Sequence, residues 1–255
     1  MIGMDDGLVI HDLHRILGPL MDDQVPTDTV GGLIGDLDEL GVTSCSAVLS
    51  WQWCGDPSGR DATHAPLPSP LAGWVEGRVH VVPLILPAAP GGGWPADPDQ
   101  LVAAGVRMVR ACPGRHRWSL DSPPAMAWWG TLADAGCAVS LDVSEVGFGG
   151  IRALARSFPE LAVVALNPGY RELRRTAELL EAAPNVLAEV GTLNTSGGVE
   201  WLAAVAGAER LVFGTGGPVN DDAGATWLLR HLDLPRDQVE RIAHGNAARL
   251  LGVGA

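Results

Sequence analysis

The 255-residue chain contains no lysine, and all 17 of its basic residues are arginine. A Schiff-base lysine, a pyridoxal phosphate linkage and a phosphate-binding lysine are therefore excluded, because each of these needs the ε-amine. Positive charge of any kind is scarce, since 30 acidic residues give a formal net charge of −13. We expect no nucleic-acid partner and no docking on an anionic membrane, because both need a basic surface.

Cysteine pairs and long apolar runs are also missing. The four cysteines, at positions 45, 54, 112 and 137, form no CxxC pair and no zinc-type spacing. Free thiols in a reducing compartment are the simplest interpretation. No apolar run approaches the roughly 18 residues of a membrane helix, and the acidic start is unlike a signal peptide. The sequence therefore predicts a cytoplasmic protein.

Composition favours one large domain. Apolar residues make up 47% of the chain, which suits a single sizeable core, and 33 glycines and 19 prolines predict many short turns. We therefore treat residues 1–255 as a single domain. Barrels built from alternating strands and helices often reach this length as one unit.

Short apolar or β-branched runs alternate with helical patterns along the chain. The predicted strands are Leu8–Leu13, Ser44–Leu49, Val79–Leu86, Val106–Ala111, Ala138–Val143, Leu161–Leu166, Val186–Val190 and Leu211–Phe213. The predicted helices are Thr29–Leu40, Pro66–Trp74, Asp97–Ala104, Ser122–Ala135, Gly149–Phe158, Tyr170–Ala182, Gly197–Ala206 and one after Asp221. A further amphipathic helix is predicted over 235–252, where Gly252 would end it.

Eight strand–helix units predict a parallel sheet covered by helices. No glycine-rich fingerprint follows the first strand, which favours a closed (β/α)₈ TIM barrel with an extra C-terminal helix. An open, doubly wound sheet is the alternative. In a barrel, functional side chains lie at the carboxyl ends of the strands and in the loops that follow them.

Five segments resemble, in the correct order, motifs of the amidohydrolase superfamily, in its amidohydrolase-related branch of metal-dependent hydrolases. They are IHDLHRILG at 10–18, PELAVVALNPG at 159–169, NVLAEV at 185–190, ERLVFGTGGP at 209–218 and NAARLL at 246–251. The corresponding family patterns are D-x-H-x-H-x-G, P-x-(L/V)-x-(I/V)-x-x-x-H-x-G, N-V-Y-x-D, R-(L/V)-(L/V)-F-G-S-D-x-P and N-A-x-R-L-(L/F). The resemblance implies a TIM barrel that performs metal-assisted hydrolysis or nonoxidative decarboxylation of small carboxylic acids.

The family's metal ligands are only partly matched. His14 matches the first histidine, Asp12 stands in its expected place, and Asp142 falls at or beside the fifth-strand histidine. The second histidine falls on Ile16, the sixth-strand histidine on Asn167 and the eighth-strand aspartate on Gly216. The resemblance therefore implies a weakened or absent metal site.

If one divalent ion binds, Zn²⁺ or Mn²⁺ held by His14, Asp12 and Asp142 is the candidate. Strand alternation predicts that Asp12 and His14 lie on the same face. Without a metal, His14 is the candidate general acid or base, with Asp142 or Asp12 orienting it. A hydrogen-bonded structural histidine is the alternative.

Further side chains are predicted at the barrel mouth, which is the end formed by the carboxyl ends of the strands and the loops that follow them. These side chains suit an anionic substrate. The candidate substrate-binding residues are Arg110, His116, Trp51, Asn167 and Glu189. Arginine grips carboxylates through two parallel hydrogen bonds, and aromatic rings line apolar pockets. The alternative interpretations are a solvated basic loop for His116 and a core or interface role for Trp51. Glu189 lies within an apolar strand and so needs a polar partner.

Two functions follow. The first is a hydrolase or related lyase that acts on a small anionic substrate at the barrel mouth with a weakened or absent metal. The second is a non-catalytic homologue that serves as a binding or assembly subunit. A homo-oligomer is compatible with either function.

Overall fold

The computed structural model describes residues 7–20, 25–55, 73–88, 92–94 and 96–253. Its strands are β1 His11–Leu17, β2 Ser44–Leu49, β3 Gly73–Val75, β4 Val79–Val81, β5 Leu84–Ala88, β6 Gly92–Trp94, β7 Met108–Ala111, β8 Ala138–Asp142, β9 Ala162–Leu166, β10 Val186–Glu189 and β11 Leu211–Val212. The α-helices are α1 Val30–Leu40, α2 Ser50–Cys54, α3 Pro98–Ala103, α4 Pro123–Asp134, α5 Val143–Ser157, α6 Leu173–Ala182, α7 Gly198–Ala206, α8 Asp222–Arg230, α9 Arg236–Glu240 and α10 Asn246–Leu251. A π-helical turn, Arg241–Gly245, joins α9 to α10.

The predicted third strand is present but bent. It consists of β4 and β5 on either side of Pro83, whose missing N–H interrupts the ladder. The Val82 N–H donates to the Ala47 carbonyl of β2 at 2.9 Å, and the Pro83 carbonyl accepts from the Arg110 N–H of β7 at 2.9 Å. This strand therefore joins the sheet ordered β1-β2-β4-β3 to the sheet ordered β11-β10-β9-β8-β7-β5-β6.

The other junction lies between β1 and the segment after β11. The Leu13 N–H donates to the Phe213 carbonyl at 3.0 Å, and the Gly216 N–H donates to the His14 carbonyl at 2.9 Å. Ile16 and Gly217 are bonded in the same way at 3.0 Å. Both junctions are thus made, and the predicted (β/α)₈ barrel is confirmed. No helix in the described ranges has the length and apolar character that crossing a bilayer requires.

Two apolar layers follow from the alternation of side chains along the strands. One cluster fills the barrel; it contains Leu13, Ile16, Val48, Val82, Met108, Val164, Leu166, Leu187 and Val212. Ala247, Leu250 and Leu251 of α10 belong to the same cluster and close the amino end of the barrel. Asn246 fixes this helix there, because its Nδ2 donates to the carbonyls of Ala208 at 2.8 Å and Leu211 at 2.7 Å. The larger cluster packs the helices against the outside of the barrel.

Local signals placed several helix ends correctly. The Thr29 hydroxyl accepts from the Gly32 N–H at 3.0 Å and so caps α1, which ends at Gly41 in the left-handed conformation, with φ 67°. α5 begins at Val143 rather than at the predicted Gly149. Its first turn was missed because Gly147, with φ 68°, interrupts the helical pattern.

The predicted helix Pro66–Trp74 lies mostly outside the described residues, and its last two residues belong instead to β3. This strand pairs antiparallel with β4, and the Trp74 ring packs edge-on against His11 and His80, with ring centroids 5.8 and 5.4 Å apart. β1 also differs, since it begins at His11, three residues later than expected.

Arg15 holds the first strand between the first and last helices of the barrel. Its side chain is fully buried, with Nη1 2.7 Å from Asp222 of α8 and 3.6 Å from Asp12. Nη2 pairs with Asp36 of α1. Three carboxylates thus neutralise one buried guanidinium beside the junction of β1 and β11.

Two histidines are buried near the amino end of the barrel. His11 bonds the hydroxyls of Ser44 at 2.8 Å and Ser46 at 2.9 Å. Burial, followed by the charges of His80 and His244, lowers the pKa of His11 to about 3. Burial lowers the pKa of His80 to about 4. Both rings are therefore neutral in the folded protein at pH values where the unfolded chain is protonated.

His80→Phe should make the protein more resistant to acid. The unfolded state takes up a proton on His80 below pH ~6.5 while the folded state resists it down to about 4, so stability is complete above 6.5 and is lost as the pH falls. The loss at pH 4 is on the order of 3 kcal/mol at most from this residue. Urea unfolding at pH 7 and pH 4 measures it. The exposed His231→Phe is the control and should keep the wild-type pH dependence.

Candidate active site

Polar side chains meet at the carboxyl ends of the barrel strands and form one hydrogen-bonded chain. His14 comes from β1, Asp142 ends β8, Asn167 follows β9 and Glu189 ends β10. The chain runs from His14 to Glu189, on to the Asn167 backbone, and through the Asn167 amide to Asp142. Four of the residues singled out in the sequence are thus brought together.

Glu189 is the fully buried centre of this chain. Its Oε1 lies 3.0 Å from His14 Nδ1, and its Oε2 accepts from the Asn167 N–H at 2.6 Å. A buried carboxylate needs such donors. His14 and the Asn167 N–H therefore supply the polar partner that the sequence predicts for Glu189. The pair thus engages Nδ1 of His14, and no described residue bonds Nε2.

Asp142 caps the helix that follows its strand. Its Oδ1 accepts from the N–H of Ser144 at 2.8 Å and from the Ser144 hydroxyl at 2.7 Å, and its Oδ2 accepts from Asn167 Nδ2 at 2.6 Å. Burial raises the pKa of Asp142, but the Arg110 charge and the hydrogen bonds from Asn167 and Ser144 outweigh it and hold the pKa below its ordinary value. Asp142 is therefore an ionised, fully engaged carboxylate.

Asp12 is directed at the junction between β1 and β11. Its Oδ1 accepts from the N–H groups of His14 and Thr215, both at 3.0 Å, and its Oδ2 accepts from the Thr215 hydroxyl at 2.6 Å. Complete burial raises the pKa of Asp12, and these bonds and Arg15 offset only part of that rise. The register of β1 also shifts between Asp12 and Arg15, so simple alternation does not hold here. Asp12 ties the strands together beneath the mouth.

Arg110 points into the barrel and is 3% exposed. Its Nη2 lies 3.8 Å from Asp142 Oδ2 and its side chain also hydrogen-bonds the Cys112 thiol, whereas its Nε and Nη1 have no hydrogen-bond partner among the described residues. It lines a central cavity of about 10 Å³ together with His14, Ser46 and Ser140. That volume holds about one water molecule. The two serines had not been singled out, because an isolated serine in an apolar strand gives no signal in the sequence.

Trp51 and His116 are half-buried, on α2 and in the turn after β7, and neither lines the central cavity. Trp53 is the tryptophan of α2 that packs against the barrel interior. The Arg115 guanidinium lies 3.8 Å from the centroid of its ring. Glu145 holds Arg115 by accepting its N–H at 2.6 Å. The sequence signal for Trp53 was its loop position after the second strand.

A larger cavity of about 390 Å³ lies outside the barrel, between the loop after β7 and α5. Trp118, Leu120, Met126 and Phe158 supply much of its wall. The described residues that line it include no histidine or arginine, so His14 and Arg110 belong to the mouth and not to this cavity.

The described residues of the mouth do not form a set of ligands for a divalent metal ion. Among the described residues, no three His, Cys, Asp or Glu side chains are grouped as metal ligands. Ile16 belongs to the apolar interior, and both carboxylates of the candidate ligand set already accept bonds from protein donors. A catalytic zinc site needs three free protein ligands and an open position.

A closed barrel of alternating strands and helices belongs to the large class of TIM-barrel proteins. The amidohydrolase family profile matches residues 91–253, and this chain belongs to that family. The resemblance seen in the sequence is thereby confirmed. No curated protein sequence matches the chain.

Solved structures similar to the barrel include two decarboxylases and a putative hydrolase. The 5-carboxyvanillate decarboxylase of Sphingomonas paucimobilis has a TM-score of 0.69 at 13% identity, with 97% of this chain and 100% of that chain covered. A putative 2-pyrone-4,6-dicarboxylic acid hydrolase of Pseudomonas putida has a TM-score of 0.64 at 18% identity, with 96% and 98% covered. A dihydroxybenzoic acid decarboxylase of Polaromonas, solved with manganese and 2-nitroresorcinol, has a TM-score of 0.62 at 11% identity, with 96% and 97% covered. At these identities the likeness extends to the fold.

Gly214→Ala should disturb the His14–Glu189 pair directly. A Cβ at Gly214 would lie 2.3 Å from Glu189 Oε1 and 3.1 Å from His14 Cβ, so the carboxylate must move. We expect a loss of about 1–3 kcal/mol in unfolding free energy from this overpacking. Nitrogen-15 NMR of the His14 ring should change from one fixed tautomer to a mixture.

Gly149→Ala is the matched control, because a Cβ there meets nothing within 4 Å on the exposed side of α5. Its ring spectrum and melting temperature should be unchanged or slightly improved. An unchanged His14 spectrum in Gly214→Ala would contradict the pairing.

Proposed function

We propose that this protein is a hydrolase or nonoxidative lyase that binds a small anionic substrate through Arg110 and transfers a proton at His14. The whole chain acts as one barrel domain in this proposal. The observation that carries it is the juxtaposition of a buried, incompletely partnered arginine with a histidine whose second nitrogen is fixed by a buried carboxylate.

Arg110 supplies the binding half of the proposal. Two of its donor nitrogens lack partners in the described part of the chain, and Asp142 Oδ2 is 3.8 Å from Nη2, beyond an ordinary hydrogen bond. Leaving buried donors of a charged group unpaired is costly. A carboxylate on the substrate would supply an acceptor for one of these nitrogens, since Nε and Nη1 lie on different edges of the guanidinium. Two of the similar solved structures are named for carboxylic acids, namely 5-carboxyvanillate decarboxylase and a putative 2-pyrone-4,6-dicarboxylic acid hydrolase.

His14 and Glu189 supply the proton transfer. Glu189 holds Nδ1 in its protonated form, so the lone pair of Nε2 can accept a proton, as in other carboxylate–histidine pairs. In hydrolysis, Nε2 would take the proton of the attacking water. In a decarboxylation, the protonated ring would give a proton to the carbon that loses CO₂ and would regain it from water.

Binding without turnover is the second candidate. It is favoured by Asp12 and Asp142, whose oxygens are already bonded to Thr215, Ser144 and Asn167. In that case Arg110 would hold an anionic ligand and no bond would be broken.

Arg110→Met should abolish ligand binding. Small aromatic and pyrone carboxylates, including 5-carboxyvanillate and 2-pyrone-4,6-dicarboxylate, are tested by thermal shift beside their methyl esters. A binding carboxylate at 100-fold its Kd should raise the melting temperature by about 5 °C or more. The shift should vanish in Arg110→Met and persist in Arg107→Met, whose arginine is exposed beside the same strand. Equal stabilisation by the esters would contradict the anionic site.

His14→Asn should separate catalysis from binding. Asparagine places an amide donor near the position of Nδ1, toward Glu189, but cannot carry the proton, so turnover of the bound carboxylate should fall at least 100-fold while its thermal shift remains. Product formation, followed by chromatography, measures this. A wild-type protein that binds the compound but forms no product identifies the binding subunit instead.

A further inference from the structure

The space left by Gly216 is filled by a side chain from further along the chain. Gly216 has φ 72°, and a Cβ built on it would lie 2.4 Å from Asn220 Nδ2 and 3.3 Å from Asn167 Oδ1. Asn220 Nδ2 donates to Asn167 Oδ1 at 2.9 Å. The carboxamide therefore occupies the position into which a larger side chain at 216 would project.

Asn167 connects this carboxamide to the rest of the mouth. Its backbone is left-handed, with φ 49°, a conformation that asparagine tolerates better than most residues. Its N–H reaches Glu189 Oε2 and its Nδ2 reaches Asp142 Oδ2, both at 2.6 Å. One residue thus links the ends of β8, β9 and β10, and through Asn220 the loop after β11.

We propose that the Asn167–Asn220 amide pair takes the place of a divalent ion in this barrel and gives the mouth no affinity for one. A metal ion in a barrel mouth draws strand ends together through shared ligands. Here the amides make the same cross-strand connections through hydrogen bonds, independently of what the protein binds or transforms.

The charge pattern around the pair points the same way. Asp142 accepts three hydrogen bonds, which leave it few lone pairs for an incoming ion. The Arg110 guanidinium, 3.8 Å from Asp142 Oδ2, places a positive charge beside the same oxygen and would repel a second cation. Hydrogen-bond donors thus face Asp142 at the position where a metal ion would need acceptor lone pairs.

Asn220→Asp should convert the mouth into a manganese-dependent structure. The change replaces an amide donor by a carboxylate that faces the side-chain oxygen Oδ1 of Asn167. Two acceptors then oppose each other until a hard cation bridges them. In EDTA the variant should melt several degrees below wild type, and Mn²⁺ should restore the loss. Wild type should show no change in melting temperature with either EDTA or Mn²⁺.

Asn194→Asp makes the same charge change on an exposed residue after β10, and Mn²⁺ should not change its melting temperature. Asn220→Ala removes the amide without adding a ligand and should melt about 2–4 °C below wild type in both buffers. It also keeps the proposal testable if Asn220→Asp fails to fold.

Three results would overturn the proposal. The first is wild-type protein that carries stoichiometric manganese or zinc by elemental analysis and loses stability on chelation. The second is Asn220→Ala with the wild-type melting temperature. The third is a folded Asn220→Asp whose melting temperature does not respond to Mn²⁺. None of these measurements uses a substrate, so they are independent of the proposed reaction.

Discussion

The closure of the barrel depends on the buried guanidinium of Arg15. Removing a cation from water is unfavourable by several kcal/mol, and close carboxylates must compensate for it. Asp36 and Asp222 do so from the helices that follow the first and last strands, and Asp12 does so from the same strand. The ion pairs of the buried Arg15 therefore link the first strand, β1, to the helix after the last strand, β11. Thr215, bonded to both Asp12 and Arg15, extends this link into the loop after β11.

This closure also determines where His14 stands. The register of β1 shifts between Asp12 and Arg15, and Leu13 and Ile16 both point into the barrel on either side of the shift. Asp12 holds the His14 N–H within this irregular stretch, while Glu189 holds the ring. Two buried carboxylates thus fix the same histidine, one through its backbone and the other through its side chain. The interactions that stabilise the junction between β1 and the segment after β11 therefore also set the position of His14.

What could be read from the sequence was largely what is local in the chain. The first helix, predicted over Thr29–Leu40 and observed over Val30–Leu40, and the apolar strands depend on neighbouring residues. The pair of His14 and Glu189 joins residues 175 positions apart, and only the folded sheet brings them together. The alternation of side chains along a strand predicted a shared face for Asp12 and His14. The register shift and the Thr215 donors instead direct Asp12 to the junction between β1 and the segment after β11. Asn220 gave no signal, because its role depends on the empty space at Gly216.

The helix that closes the amino end of the barrel has a consequence for exchange with solvent. Ala247, Leu250 and Leu251 plug that end with apolar side chains, and Asn246 anchors the plug to the start of β11. The interior is thus packed and closed at that end, and the small cavity beside His14 and Arg110 lies toward the carboxyl ends of the strands. Exchange of a small molecule between this cavity and solvent therefore takes place at the carboxyl end and not through the barrel.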